Sequence, residues 1–332
     1  EAFIAAARYE SVDADITETY VRTSPSKEVL DAYDPANTSG FYYSADFFFT
    51  QSFGNPEDFY LYQTGLLLNG GYAFNENFAI MSSARVTLLD NFDKFNYLVD
   101  NEEVSLPRVR TRVREYVSAN DVWLDTTFLH YKDTIAEDLY AQAYAGYLET
   151  MFAGVGTEIL SRQPNSNWGI GADVNAISQR DPESIFGVFS DENANAANTR
   201  FLAKTTTGHL SFYYQPQWAF LANTQFRLDV GKFLAADVGA RFDFSKQYDS
   251  GVIVGAYASR TNMSAEDFGE GSFTKGFYLS IPFDTLSLKP TNSRGNFAWQ
   301  PITRDGGQML GKRNSLFGIT DMVSPWYQRP CR

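Results

Sequence analysis

Four arginines spaced two apart, Arg108, Arg110, Arg112 and Arg114, are the sharpest chemical feature of the sequence. On a β-strand, residues two apart share a face, so this spacing predicts a ladder of four guanidinium groups, with Val109, Thr111, Val113 and Glu115 on the other side. Lining a pore, such a ladder would contact an anionic ligand, because fixed arginines select for anions. Paired with carboxylates of neighbouring strands, the same ladder would only hold the fold together. The chain carries 40 Asp and Glu, so both readings stand.

A second constellation is His209, Ser211 and Asn223. The segments flanking Gln217 read as a hairpin whose register sets Ser211 opposite Asn223 and His209 opposite Gln225. In spacing this is similar to the His–Ser–Asn arrangement of outer-membrane phospholipases, in which the imidazole activates the serine. The facing argument opposes an esterase. Leu210, Phe212 and Tyr214 form the apolar face, so His209 and Ser211 point to the polar interior, away from lipid. The acidic pairs Glu137–Asp138 and Glu266–Asp267 fall at turns and read as solvated loops, not as glycosidase carboxylates. Asp191, Glu192 and Asn193 do not match a calcium-binding EF-hand loop. The glycines of Gly154-Val155-Gly156 and Gly169-Ile170-Gly171 lie in strand patterns with no following helix, so they ease curvature or close packing and bind no dinucleotide. No catalytic residue, metal site or cofactor is expected.

The elements that must position these groups are strands. Two-residue periodicity runs through the whole chain. Trp168, Ile170, Ala172, Val174 and Ala176 alternate with Gly169, Gly171, Asp173 and Asn175. Ala240, Phe242 and Phe244 alternate with Arg241, Asp243 and Ser245, and Val252, Val254, Ala256 and Ala258 with Ile253, Gly255, Tyr257 and Ser259. The polar set predicts that Asp173, Asn175, Arg241 and Tyr257 line a lumen beside His209, Ser211 and Asn223, as candidates for ligand contact. Further strands are readable at 42–51, 59–68, 78–88, 122–131, 139–147, 210–214, 226–231 and 277–281, and Thr134–Leu139 reads as a hairpin cap. Longer polar connections stand at 24–39, 92–106 and 180–198. The prediction is an all-β chain forming an antiparallel transmembrane β-barrel of roughly 14–16 strands with a polar lumen. It would span residues 1–323, with 324–332 as a disordered tail.

Composition agrees. Aromatics make up 16% of the chain, yet mean hydropathy is −0.31, so apolar residues must be interleaved with polar ones. A soluble two-sheet β protein has a similar average. Aromatics such as Tyr42, Tyr43, Tyr60, Tyr62, Trp123, Trp168, Trp218 and Tyr278 read as interfacial girdles, with sugar stacking by Tyr213 or Tyr257 as the alternative. No run of 18 apolar residues occurs, which excludes a membrane-spanning helix. A net charge of −13 disfavours nucleic acid as a partner. Cys331 is the one cysteine and cannot form an internal disulfide. Glu1-Ala2-Phe3-Ile4 has no basic leader region and reads as a mature or truncated start.

Six segments carry a family signal: LPRVRTRVREYV (106–117), DNFDKFNYLV (90–99), AGYLETMFAGVGTEIL (145–160), ADVNAISQRD (172–181), YDSGVIVGAYASRTNMSAEDFGEGSFTKGFYLSIP (248–282) and PITRDGGQML (301–310). They resemble the YjbH/GfcD family, with the match best over 60–320 and covering what looks like the C-terminal half of longer members. The resemblance implies a bacterial outer-membrane barrel in exopolysaccharide or group-4 capsule export, working with membrane lipid, exopolysaccharide and other envelope export proteins. It implies no catalytic site. Such a barrel acts as a passive conduit or a plugged barrel; the alternatives are a structural anchor for a secretion complex and an outer-membrane hydrolase. In this sequence Phe317 or Trp326 stands as the candidate for the aromatic signal that ends most such barrels.

Overall fold

The alternating segments form thirteen antiparallel strands: β1 (Gly40–Phe53), β2 (Tyr60–Ala73), β3 (Phe78–Asp90), β4 (Val122–Ala136), β5 (Leu139–Tyr147), β6 (Phe152–Ser161), β7 (Trp168–Gln179), β8 (Thr205–Tyr214), β9 (Thr224–Lys232), β10 (Val238–Gln247), β11 (Ile253–Thr261), β12 (Thr274–Pro282) and β13 (Arg294–Trp299). The computed structural model describes residues 39–53, 60–95, 107–118, 120–163, 166–189, 202–264, 273–282, 294–299 and 304–320. Each strand pairs with the next in sequence, and β13 comes back beside β1, so the sheet curls into a nearly closed barrel. The described strands number one fewer than the lower end of the expected range. Two elements escaped the periodicity argument as strands of full length: β6, whose glycines blur the alternation, and the short β13.

The barrel is apolar outside and polar inside. Val174, Leu210 and Phe242 face out at 63%, 52% and 47% exposure, while their inward neighbours Asp173, Ser211 and Asp229 are 7%, 6% and 0% exposed. A water-soluble β protein puts its apolar face inward; the reverse pattern suits strands whose outer surface meets hydrocarbon. Gly156 shows why small residues sit in these strands. A Cβ there would lie 2.1 Å from Asn175 Oδ1 and 2.5 Å from the Tyr144 ring, which pack across the inner wall.

Because all connections are hairpins, alternate ones share a rim. One rim carries the longer excursions: 91–121 between β3 and β4, 180–204 between β7 and β8, and 262–273 between β11 and β12. The other carries tight links, such as Glu137–Asp138, where Asp138 adopts φ 61, a conformation aspartate tolerates in two-residue turns. Gln215-Pro216-Gln217 lies on this rim, opposite the long excursions as expected, but it opens a connection that runs on to Asn223 and is not a short link.

The arginine ladder is not a strand. Arg110–Arg112 form a 3-10 turn that leads into helix α1 (Val113–Ser118). The reason is topological: β3 and β4 pair directly, from Phe78↔Tyr131 to Val86↔Val122, so the excursion between them has no sheet edge to join. Among the described residues the other α-helix is α2 (Leu316–Ile319). The proposed tail 324–332, the loop acids Asp191–Asn193 and the pair Glu266–Asp267 lie outside the described residues, as does Trp326.

Candidate functional site: a strap through the lumen

The lumen is filled by the chain itself. Residues 304–320, which follow β13, pass down the inside of the barrel from the long-connection rim to the tight-turn rim. Successive parts of this strap are held by inward side chains of several strands and by residues of the connections between strands.

At the upper rim Asp305 is the anchor. Its Oδ1 accepts from the Val109 and Thr111 backbone N–H groups at 2.8 and 3.1 Å, and its Oδ2 accepts from Arg108 Nη1 at 3.2 Å and Thr111 Oγ1 at 3.0 Å. The Asp305 side chain is 1% exposed. Next, Gly306 and Gly307 let the backbone turn inward. Gly307 takes φ 67, and a Cβ there would meet Ser259 Oγ at 2.3 Å, so a left-handed residue without a side chain is required. The Gly307 N–H donates to Asp237 Oδ2 at 2.8 Å, and the Gly306 carbonyl accepts from Thr274 Oγ1 at 2.7 Å.

Arg110 clamps the strap from above. It pairs with Glu149 at 2.7 and 3.0 Å and donates to the Met309 carbonyl at 3.1 Å, while the Gly311 N–H donates to the same Glu149. Burial alone would lower the Arg110 pKa, but the Glu149 carboxylate, together with Asp305 and Tyr116, outweighs it and raises it above the ordinary arginine value. The third arginine of the series, Arg112, pairs with Glu115 at 2.8 Å. The arginines predicted to line a pore on a strand therefore lie in the cap over its upper end, and Arg108, Arg110 and Arg112 are ion-paired, though with Asp305, Glu149 and Glu115 and not with carboxylates of neighbouring strands. Arg114 is half-buried on α1.

Halfway down, Lys312 Nζ lies 2.8 Å from Glu158 on β6 and 3.6 Å from Asp173 on β7. Arg313 donates to Asn69 Oδ1 on β2 at 2.7 Å, and Gln142 on β5 donates to the Asn314 carbonyl at 3.1 Å. The gap left beside the strap here, between Phe128, His130, Gln142 and Tyr144, is about 20 Å³, room for about one water. At the lower rim Phe317 stacks on Tyr213 with centroids 3.9 Å apart and planes at 8°, and the Arg162 guanidinium covers its other side at 4.1 Å. Phe317 is thus an interior plug residue, not an exposed terminal aromatic.

Apart from Asn223, the remaining lumen candidates face inward where the alternation put them, but each is engaged by neighbouring inward side chains. Asp173 accepts from Asn175 at 2.7 Å across its own strand, and Asn175 accepts from the Tyr144 hydroxyl at 2.6 Å. Arg241 lies over the Tyr257 ring at 3.8 Å. His209 sits 3.4 Å from Asp173 and edge-on to Phe233. Ser211 donates to Asp229 at 2.6 Å, an acceptor it shares with Arg227 at 2.9 Å. The predicted register fails here. Ser211 pairs with Asp229 and His209 with Gly231, because the β8–β9 connection runs from Gln215 to Asn223 and Asn223 itself lies in that turn at φ 56. The His–Ser–Asn trio is not assembled, and the serine proton is aimed at a carboxylate instead of the imidazole. Three girdle assignments also change: Trp123 is buried against Tyr116 beneath α1, Tyr278 donates inward to Asp243 at 2.8 Å, and the hydroxyl of Tyr42 is buried. Trp168 and Trp218 are exposed, as a girdle requires.

Asp237, at the upper rim between β9 and β10, gives the strap a pH dependence. Burial pushes its carboxyl above the usual carboxylate range, and the Gly307 N–H only partly opposes this. The folded state therefore favours the neutral acid. Its contribution is fully present below the unfolded carboxylate value and is lost as pH rises from there through the raised one. Asp237→Asn, uncharged and still able to accept from Gly307, is expected to remove that slope. Urea titrations at about pH 4 and about pH 7 check this, and a slope equal to wild type would clear Asp237 of the role.

Fold and site together define a β-barrel with an apolar exterior and a lumen closed by its own chain. A family model described as "YjbH: Exopolysaccharide biosynthesis protein YbjH" matches residues 3–322, and the chain belongs to this family. The "Uncharacterized lipoprotein YjbH" of Escherichia coli (strain K12) is 41% identical over 284 residues, covering 85% of this chain and 39% of that relative. The chain thus spans about two-fifths of the relative's length. The resemblance carried by the six segments is borne out. Asp305, Gly306 and Gly307 belong to one of them, PITRDGGQML, but sequence reasoning did not see that they enter the lumen. Their only local signal was an acid followed by two glycines in an otherwise alternating chain.

Proposed function

We propose that this chain is a plugged outer-membrane β-barrel of an exopolysaccharide export system, acting without bond-making chemistry. The observation that carries this reading is the strap. A polar interior under an apolar exterior is what a membrane conduit needs, while the strap at 304–320 occupies the path and pairs with the polar side chains a translocating polymer would otherwise meet. The family description supplies the exopolysaccharide context. In the resting state the barrel is closed and serves as a scaffold; release of the strap would open it, and export partners in the envelope are the natural source of that signal.

The test is planar-bilayer recording on the purified chain, with insertion checked separately by heat-modifiable migration on a gel. The expected result is a protein that inserts and is silent, including in the presence of an anionic polysaccharide. Stable open steps from the unmodified protein would overturn the plugged reading in favour of a standing conduit. Failure to insert would overturn the membrane reading altogether.

A further inference from the structure

We propose that Lys232, Arg260 and Lys275 form a binding row for the anionic headgroups of membrane lipids at the long-connection rim. The inference rests on the membrane reading above.

The row follows from position. Lys232 is the last residue of β9, Arg260 the last but one of β11, and Lys275 the second of β12. All three are therefore at the same rim. The register puts them on the outer face: Lys232 lies two residues beyond Val230 on β9, Arg260 pairs with Ala240, and Lys275 pairs with Ala258. The next outward residues below them are Val230, Ala258 and Phe277, all exposed. Each cation thus stands one outward step above the apolar belt, at the level where hydrocarbon gives way to headgroups. Lys232 donates to the outward hydroxyl of Thr206 at 3.3 Å, and Lys275 lies 5.1 Å from the exposed Phe273 ring, so both stems lie along the wall.

The sign of the charge is the second argument. The chain carries a net charge of −13, yet among the described residues no carboxylate stands at the two rim-most positions of β8 to β12. Adjacent strands are about 4.8 Å apart, so cations on β9, β11 and β12 span roughly the width of one or two headgroups. Point charges on flexible stems suit phosphate, which presents several acceptors and needs no fixed geometry. A soluble anionic polymer is the less fitting partner. The row faces the membrane side of the wall, and its acceptors would have to reach it past the lipid.

Native mass spectrometry of the barrel released from detergent micelles doped equally with phosphatidylglycerol and phosphatidylcholine tests this. Wild type is expected to retain phosphatidylglycerol preferentially. Each cation removed is expected to cut that preference by about fivefold. Lys232→Gln, Arg260→Gln and Lys275→Gln together should abolish it, with heat-modifiable migration unchanged. Lys246→Gln, which removes a cation near the opposite end of β10, should leave it intact. Equal retention of the two lipids by an inserting wild-type barrel would overturn the row alone, as would undiminished preference in the triple variant. Binding of soluble alginate that depends on these three residues, with no lipid preference, would reassign the row to polymer. A wild type that fails to insert would overturn the membrane reading and this inference with it.

Discussion

Lys312→Met is expected to destabilise the barrel by about 3–5 kcal/mol. The ammonium sits between Glu158 and Asp173, whose side chains are 6% and 5% exposed, and it is the strap's cation for both. Removing it leaves two buried carboxylates facing an apolar side chain of similar length. Glu158 also accepts from the Leu316 N–H at 3.2 Å and from Gln142 at 2.8 Å, so it cannot rotate out to water without releasing more of the strap. Urea titration of protein refolded in detergent micelles measures the loss. The second arm is the combination with Glu158→Gln, which removes one stranded charge and keeps an acceptor for Leu316. The double variant should be more stable than Lys312→Met alone. If it is less stable, the cost does not come from unpaired charge, and the electrostatic account of the strap fails.

Asp305→Ala is expected to free the upper end of the strap and turn a silent barrel into one with flickering open steps. One carboxylate accepts from Arg108 Nη1, two backbone N–H groups and the Thr111 hydroxyl. Its loss breaks the buried Arg108 ion pair and orphans two buried backbone donors, a cost of about 3–5 kcal/mol for the broken pair and about 1–3 kcal/mol for each orphaned donor. The lower end stays fixed by the Phe317 stack, so the lumen opens partly and intermittently instead of emptying. Asp305→Asn, which keeps an acceptor but not the charge, should fall between wild type and alanine in both stability and open time. A silent Asp305→Ala barrel with normal insertion would mean that the mid-lumen contacts of Lys312 and Arg313 hold the plug by themselves.

Much of the wall was legible in the sequence, because a strand's side chains alternate whatever the strand pairs with. The run from Trp168 to Asn175 states which residues face out and which face in before any partner is known, and the exposures of Val174 and Asp173 follow it. The same logic placed Arg241 and Tyr257 inside and set Glu137–Asp138 at a hairpin turn. It misled at Arg108–Arg114, where a period of two was present without a sheet edge to receive it. It also misled at Ser211, where a turn several residues longer than assumed moved the register so that Asp229, not Asn223, became its partner.

The alternation of apolar and polar residues, the turn residues between strands and the family segments determined by themselves that this chain is an all-β barrel with a polar interior. Its state was decided only by tertiary structure. Asp305 lies 197 residues from Arg108, Lys312 lies 154 from Glu158, and Phe317 lies 155 from Arg162. No local periodicity encodes such pairs, because each needs a closed barrel before the two groups can meet. A polar lumen dictates that something must satisfy its buried charges; only the folded chain reveals that its own strap, rather than water alone, does so.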